Sequence, residues 1–150
     1  DTIFESILEQ LPEQGVLYTS PLQRCSILAQ HIQEAKGIPI VAEEPRLKEM
    51  HFGDWELQAW NAIPRTVLDP WMNDFVNVAV PNGESFMDLE KRVWEFLEEK
   101  LEKPNEKPLI LVTHSGVIRS VLCRINNIPL QEAFATPLDY GGVVKVEYTR

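Results

Sequence analysis

The stretch LILVTHSGVIR, residues 109–119, determines the fold class. Its unbroken apolar run at 109–112 is typical of a parallel strand that is buried on both faces. A polar turn follows, and from Ser115 onward apolar residues recur at helical spacing. His114 is therefore predicted at the carboxyl end of a central strand and beside a helix N-terminus, where open α/β sheets bind ligands, anions in particular. The stretch alone leaves open whether His114 is catalytic or only hydrogen-bonds a neighbouring loop.

A second stretch, VLYTSPLQR at residues 16–24, repeats the order of strand, polar corner and helix. Ser20 is predicted to cap this helix and Pro21 to be its first residue, because serine and proline favour those two positions. The carboxyl ends of parallel strands lie at one edge of a sheet, so the polar residues of both corners should meet there. Those residues are Ser20, Arg24, His114 and Ser115.

The remaining sequence completes an α/β chain of helices and short strands. Helices are predicted for residues 1–11 and from the second corner to Gly37. Between Trp60 and Asn77 shorter helical pieces are predicted, broken by Pro64 and Pro70. A further helix is predicted to begin at Ser85, which forms a capping box with Asp88. Short strands are predicted at 38–41 and, from alternating polarity, at 143–148. The predicted fold is a three-layer α/β/α sandwich with a mostly parallel sheet. Residues 1–150 are expected to form a single domain, with 57–80 as a short helical cap.

Composition excludes several classes of protein. With 150 residues and 44% hydrophobic residues the chain suits one globular domain. A net charge of −9 argues against general nucleic-acid binding, although a local pocket can still attract a small anion. No apolar run is long enough to cross a membrane, and Cys25 and Cys123 are predicted as reduced core thiols. These features favour a cytoplasmic location. Because the sequence contains no metal-ligand motif, we expect no metal ion and no cofactor.

Two residues at the predicted sheet edge and one in the 46–56 loop suggest a pocket that binds an oxyanion and protonates a leaving oxygen. Arg24 offers a fork of donors that matches a phosphate or carboxylate. His114 can donate to an anion or act as a general acid or base, and Glu49 is a candidate proton donor. Each also has an ordinary explanation, because Arg24 could pair with a surface acid and Glu49 is one of 23 acidic residues.

Other polar residues of the 46–56 loop carry less information. Asp54 and Glu56 are expected to stabilise the loop. His51 is either near the pocket or part of the loop, and His31 is expected to face solvent.

Four motifs in order resemble the histidine phosphatase superfamily, the phosphoglycerate-mutase-like group. They are TSPLQRC at 19–25, LKEMHFGDWE at 47–56, PNGES at 81–85 and VTHSGVIR at 112–119. The second motif, the short cap and the terminal Gly-Gly-Val-Val are most similar to the α-ribazole phosphatases of cobalamin biosynthesis. The resemblance implies phosphomonoester hydrolysis through a phosphohistidine, with a small phosphorylated metabolite as the partner.

The resemblance also implies residue roles. Glu49 and His114 would be catalytic, as proton donor and as a stabiliser of the transferring phosphoryl group. Arg24 and the amide of Ser115 would bind phosphate. Three further residues would lie at the pocket rim: Ser20, His51 and Glu84.

One feature of that family is missing. The family begins with a strand that ends in Arg-His-Gly, whose histidine is the nucleophile, and this tripeptide occurs nowhere here. We therefore expect the sheet to lack its first strand, the pocket to lack its nucleophile, and the 150 residues to be a fragment that is inactive alone. A homodimer is left open. The alternatives are a sugar-phosphate phosphatase, a mutase, which the short cap disfavours, and a non-catalytic module that binds a phosphorylated ligand or a protein.

Overall fold

The computed structural model describes residues 2–102, 107–135, 137–138 and 141–147, and these residues form five helices and three strands. The helices are α1 (Thr2–Gln10), α2 (Gln23–Lys36), α3 (Arg65–Asn73), α4 (Phe86–Leu101) and α5 (Ser115–Ile125). The strands are β1 (Val16–Thr19), β2 (Ile40–Glu43) and β3 (Leu109–Val112). Short 3₁₀ turns lie at Pro45–Leu47, Gly53–Trp55, Trp60–Ala62 and Leu130–Ala135.

The three described strands form a parallel sheet in the order β2-β1-β3. Side chains alternate across it, as strand geometry requires. Leu17 and Ile110 lie in the cluster packed by α1 and α2, whereas Tyr18 lies in the cluster packed by α4 and α5. Burial of each such large apolar side chain contributes roughly 1.5–3 kcal/mol. The predicted three-layer α/β/α architecture is confirmed.

Helix α4 follows its sequence pattern closely. The Ser85 hydroxyl accepts a hydrogen bond from the Asp88 amide, and the Asp88 carboxylate accepts one from the Ser85 amide. This reciprocal capping box satisfies two donors that a helix start leaves unpaired. The apolar stripe of the helix is buried, with Phe86, Leu89 and Val93 each at most 1% exposed.

The start of α2 differs from its prediction. The helix begins at Gln23, and its N-cap is Leu22, whose side chain makes no capping hydrogen bond. Ser20 lies two residues before the N-cap. It does not cap the helix, because its hydroxyl contacts His114 and accepts a hydrogen bond from the Leu22 amide instead. The other end is as predicted, since Gly37 terminates α2 in the left-handed conformation at φ 68°.

Three further predictions were wrong. Pro70 lies inside α3 rather than breaking it, so the loss of one amide donor does not end this short, exposed helix. β3, predicted to be central, pairs only with β1 among the described strands. Residues 143–147 form no strand, because no described strand pairs with them and an unpaired strand is unstable; Tyr148 lies outside the described residues.

In the described part of the chain, every helix is too short or too polar to span a bilayer.

Candidate functional site

The two strand-to-helix corners meet, as their shared pattern predicts. The Ser20 amide donates to the Val112 carbonyl at 2.9 Å, which joins the ends of β1 and β3. Ser20 Oγ lies 2.9 Å from His114 Nε2, and both residues are buried. The parallel register of β1 and β3 thus places a hydroxyl and an imidazole together at the carboxyl edge of the sheet.

Cys25 is the third member of this cluster. Its Sγ lies 3.6 Å from Nε2 and 3.8 Å from Nδ1 of His114. Burial raises the pKa of the Cys25 thiol, so the thiol stays protonated at neutral pH. The sequence predicted Cys25 as a free core thiol, which is confirmed, but gave no signal that it would contact the site histidine.

His114 is an uncharged imidazole at neutral pH. Burial is the main cause that lowers its pKa below the usual value, and the charges of Arg24 and Arg92 add to the effect, while the charge of Glu49 opposes it. Because a dianion nearby would reverse this balance, the same imidazole is suited to take up a proton when phosphate binds.

The Glu49 carboxylate lies at the N-terminus of α5. Its Oε1 accepts from the Met50 amide at 3.0 Å and its Oε2 from the Gly116 amide at 3.2 Å. A side chain at position 116 would collide with Glu49 Oε1, so glycine there makes the close approach feasible.

Arg24 lies in the first turn of α2 with its side chain exposed. Its charge is close enough to lower the pKa values of both His114 and Cys25. Within the described residues it has no hydrogen-bonding or ion-pair partner, in contrast to Arg46, which is held by Glu44 and Glu99. Arg24 is therefore a cation available to a ligand at the sheet edge.

Ser115 and the three predicted rim residues have different environments. Ser115 is exposed as the first residue of α5. His51 belongs to the loop, where its Nδ1 accepts from the Gly53 amide at 3.2 Å. Glu84 accepts from the His51 amide at 2.9 Å and pairs with Arg92 at 2.8 Å. The sequence missed Arg92 because no motif marks it on α4. Ser20 alone of the three rim residues contacts His114.

The acids expected to stabilise the loop do so. Glu56 accepts from the Phe52 amide, and the Asp54 carboxylate accepts from the Asn82 side-chain amide at 3.0 Å. The backbones of Gly53 and Gly83 also approach each other so closely that a side chain on either glycine would collide with the backbone of the other segment. The loop is thus fixed to the turn at residues 81–84. His31 is exposed, as predicted.

An aromatic cavity of about 260 Å³ opens beside Glu49. Ser115 and Gly116 line its floor together with the carboxylate. Trp60 and Trp71 stack in its wall with ring centroids 5.9 Å apart and planes 19° apart. Further aromatic rings come from Phe52, Phe75, Phe86 and Phe134. The cavity can therefore take a flat apolar group whose polar end meets Glu49. The described ranges contain no cluster of three His, Cys, Asp or Glu residues arranged to hold a metal ion.

Curated relatives of the chain include phosphatases and phosphoglycerate mutases. It is 26% identical over 125 residues to the adenosylcobalamin/alpha-ribazole phosphatase of Escherichia coli (strain K12), covering 81% of this chain and 61% of that protein. It is 27% identical over 131 residues to phosphoserine phosphatase 1 of Hydrogenobacter thermophilus, covering 83% and 60%. The chain thus spans about three fifths of the length of these two relatives.

Solved structures share the fold. YhfR of Bacillus stearothermophilus superposes with a TM-score of 0.73 at 25% identity, covering 93% of this chain and 77% of that one. The alpha-ribazole phosphatase of Shigella flexneri gives a TM-score of 0.75 at 22% identity, covering 93% and 69%. The family model of the histidine phosphatase superfamily (branch 1) matches residues 4–150. The four ordered motifs, the sheet-edge site and this match lead to one conclusion: the chain belongs to the histidine phosphatase superfamily.

Proposed function

We propose that the protein carrying this chain hydrolyses phosphomonoesters, and that α-ribazole 5′-phosphate, a substrate of cobalamin biosynthesis, is the one it acts on. The observation that carries the proposal is the Glu49 carboxylate, which lines an aromatic cavity and is close enough to His114 for its charge to act on the imidazole. Phosphate would lie on the side of His114, and the leaving alcohol on the side of the cavity.

The phosphate half of the site rests on three groups. Arg24 supplies an unpaired cation among the described residues, and His114 supplies an imidazole that can gain a proton as the dianion arrives. The exposed first residue of α5, Ser115, adds its backbone amide, whereas the Gly116 amide already donates to Glu49. Together they offset the charge that spreads over the phosphoryl oxygens during transfer.

The chemistry would proceed in two displacements. A neutral imidazole nitrogen attacks phosphorus in line, the bond from phosphorus to the ester oxygen breaks, and protonated Glu49 gives its proton to that oxygen. Water then attacks the phosphohistidine, passes a proton to the Glu49 carboxylate, and the phosphorus–nitrogen bond breaks. None of the histidines at 31, 51 and 114 lies in an Arg-His-Gly sequence, so we infer that the 150 residues alone do not complete the first displacement.

The cavity favours a nucleoside, whose ribose carries a flat base, over a sugar alone as the leaving group. Six aromatic side chains line the cavity, and the carboxylate of Glu49 is the one charged group there among the described residues. A polyhydroxylated sugar would leave its hydroxyl groups unpaired against such a wall, whereas a planar heteroaromatic base would stack on it. Residues 57–80, which supply Trp60 and Trp71, act in this proposal as the cap.

Replacing Glu49 tests the proposal. In the longest natural form of the protein, Glu49→Gln should lower kcat for α-ribazole 5′-phosphate by about 100-fold or more, because a positioned general acid contributes roughly 10²–10⁴-fold. Steady-state release of inorganic phosphate measures this, with O-phosphoserine and glucose 6-phosphate as comparison substrates. Near-normal turnover in the variant would contradict the proton-donor role of Glu49. A preference of the wild type for either comparison substrate would contradict the assignment of α-ribazole 5′-phosphate as the substrate.

A second candidate is binding of a phosphorylated ligand without hydrolysis. The absence of Arg-His-Gly from the 150 residues favours it. Saturable binding of inorganic phosphate by calorimetry, together with no phosphate release from any substrate by the longest natural form, would identify this alternative.

A further inference from the structure

The segment that carries Glu49 is held from outside by one side chain. Arg92 projects from α4, and its Nη1 donates to the carbonyl of Arg46 at 2.7 Å while its Nη2 donates to the carbonyl of Glu49 at 3.1 Å. The guanidinium therefore grips both ends of the short segment 46–49. The peptide from which the Glu49 side chain projects is one of its two attachment points.

Glu84 completes the attachment. It takes a bidentate pair from Arg92, with Nε to Oε2 at 2.8 Å and Nη2 to Oε1 at 2.9 Å. Its Oε1 also accepts from the amide of His51 at 2.9 Å, and its own amide donates to the His51 carbonyl at 2.8 Å. The segment is thus fixed at residues 46, 49 and 51 by a single ion pair.

The ion pair of Arg92 and Glu84 is mostly shielded from solvent, as expected of a pair that fixes a backbone segment. Each partner side chain is 20% exposed. Burial alone would raise the pKa of Glu84, but the hydrogen bonds from Arg92 and from the His51 amide outweigh it and leave the pKa lowered. Every nitrogen of Arg92 already has an acceptor, so Arg92 is not free to bind phosphate as Arg24 is.

The side chain of Glu49 depends on this support. Its carboxylate is oriented by two amides, those of Met50 and Gly116, and the first of them belongs to the held segment. A shift of the Glu49 peptide would move the carboxyl group away from the N-terminus of α5, and small misplacements of a reacting group are costly in rate. We propose that Glu84 and Arg92 are positioning residues that aim the Glu49 carboxyl group at the leaving oxygen; this rests on the proton-donor role proposed above.

A matched pair of substitutions isolates the effect. Glu84→Gln keeps the side-chain shape and an acceptor for the His51 amide but removes the charge that Arg92 needs. Glu90→Gln is the control, because Glu90 also pairs with one arginine of this face, Arg124 at 2.7 Å, and is 19% exposed. Glu90 has no hydrogen bond to the 46–51 segment among the described residues.

The first measurement needs no turnover. Amide hydrogen exchange by NMR on the 150-residue chain should be about tenfold faster at Met50 and Gly116 in Glu84→Gln, and unchanged in Glu90→Gln, since local opening sets exchange. Unchanged exchange at both amides in Glu84→Gln would overturn the positioning role, whatever the protein hydrolyses.

The second measurement asks whether position serves proton transfer. In the longest natural form, Glu84→Gln should lower kcat/KM for an alkyl phosphate about tenfold while changing kcat/KM for p-nitrophenyl phosphate less than about threefold, because kcat/KM reports the first displacement and nitrophenolate leaves in that step without a proton. KM should stay the same, and Glu90→Gln should match the wild type for both substrates. Equal losses on both substrates would overturn the proposal. Glu49→Gln should itself lose more activity on the alkyl phosphate than on p-nitrophenyl phosphate. If it does not, while Glu84→Gln still exchanges faster at Met50 and Gly116, the proton-donor role of Glu49 is wrong and the support of its segment by Glu84 stands.

Discussion

At the scale of single residues, the surroundings of His114 set its protonation. The imidazole is 5% exposed and contacts Ser20 Oγ and Cys25 Sγ. Burial lowers its pKa more than the charge of Glu49 raises it. The site that we propose to bind a phosphate dianion therefore has an uncharged imidazole in the absence of ligand, and the positive charge beside it is that of Arg24.

The lowered pKa of His114 predicts how stability depends on pH. The unfolded chain binds a proton at this residue more readily than the folded chain, so stability rises with pH across the interval between the two pKa values. The contribution is complete above about pH 6.5, the unfolded value, and is lost as pH falls toward the folded value. Urea unfolding at pH 7.5, 6.5 and 5.5 should show this loss, and His114→Gln should lack it.

Two glutamates with lowered pKa values affect stability at a lower pH. The pKa values of Glu44 and Glu84 are lowered, so their contributions are lost only below their unfolded values, which lie near 4.5. His31 and His51 are exposed. Parallel stability curves for the wild type and His114→Gln between pH 7.5 and 5.5 would contradict the buried, neutral imidazole.

At the scale of elements, local sequence decided the helices and strands whose signals were short-range. The stripe and capping box of α4, the glycine end of α2 and the apolar run of β3 were all predictable, because each depends on residues within a turn or a strand. The start of α2 was not, because Ser20 makes a contact with His114 that lies 94 residues away in sequence. The segment 143–147 has alternating polarity but no described neighbour to pair with.

The site divides in the same way. Glu49, His114 and Arg24 lie in motifs and could be predicted as candidates from their residue types. Arg92 could not, since its partners at 46, 49 and 84 are brought together only by the packing of α4 on the loop.

The capping box of α4 gives a prediction for that element. Ser85→Ala should lower the free energy of unfolding by about 1 kcal/mol, because the Asp88 amide loses its acceptor at a position that is only 5% exposed. Urea denaturation monitored by circular dichroism measures the change. Ser26→Ala is the control, since its hydroxyl makes only a local bond to the Gln23 carbonyl in α2. Equal stabilities of the Ser85 variant and the wild type would show that the cap contributes nothing.

At the scale of the whole molecule, the site divides between two regions. The sheet edge supplies charge and hydrogen bonds, and the segment before α4, together with Phe86 and Phe134, supplies aromatic surface. The net charge is −9, but several acids are paired with arginines, as Glu99 is with Arg46. A small anion can therefore be bound on an acidic protein.

This division predicts separable effects on binding. Trp60→Ala should weaken binding of a phenyl phosphate by about 3- to 10-fold, since an aromatic pair contributes roughly 0.5–1.5 kcal/mol beyond its buried area. Binding of inorganic phosphate should not change, whereas Arg24→Gln should weaken both ligands. Calorimetry on the 150-residue chain measures all four affinities. Because Trp60 is 54% exposed, its removal should leave the fold intact. A loss of inorganic phosphate binding in Trp60→Ala would contradict the division.

The contact between Gly116 and Glu49 links two positions that lie 67 residues apart. Any side chain at 116 would occupy the space of the Glu49 carboxylate, so a larger residue there is compatible only with a shorter acid at 49. The two positions are thus constrained to vary together. An attempt to redesign one of them alone, whether the acid or the helix start, begins from a sequence in which its partner is already wrong.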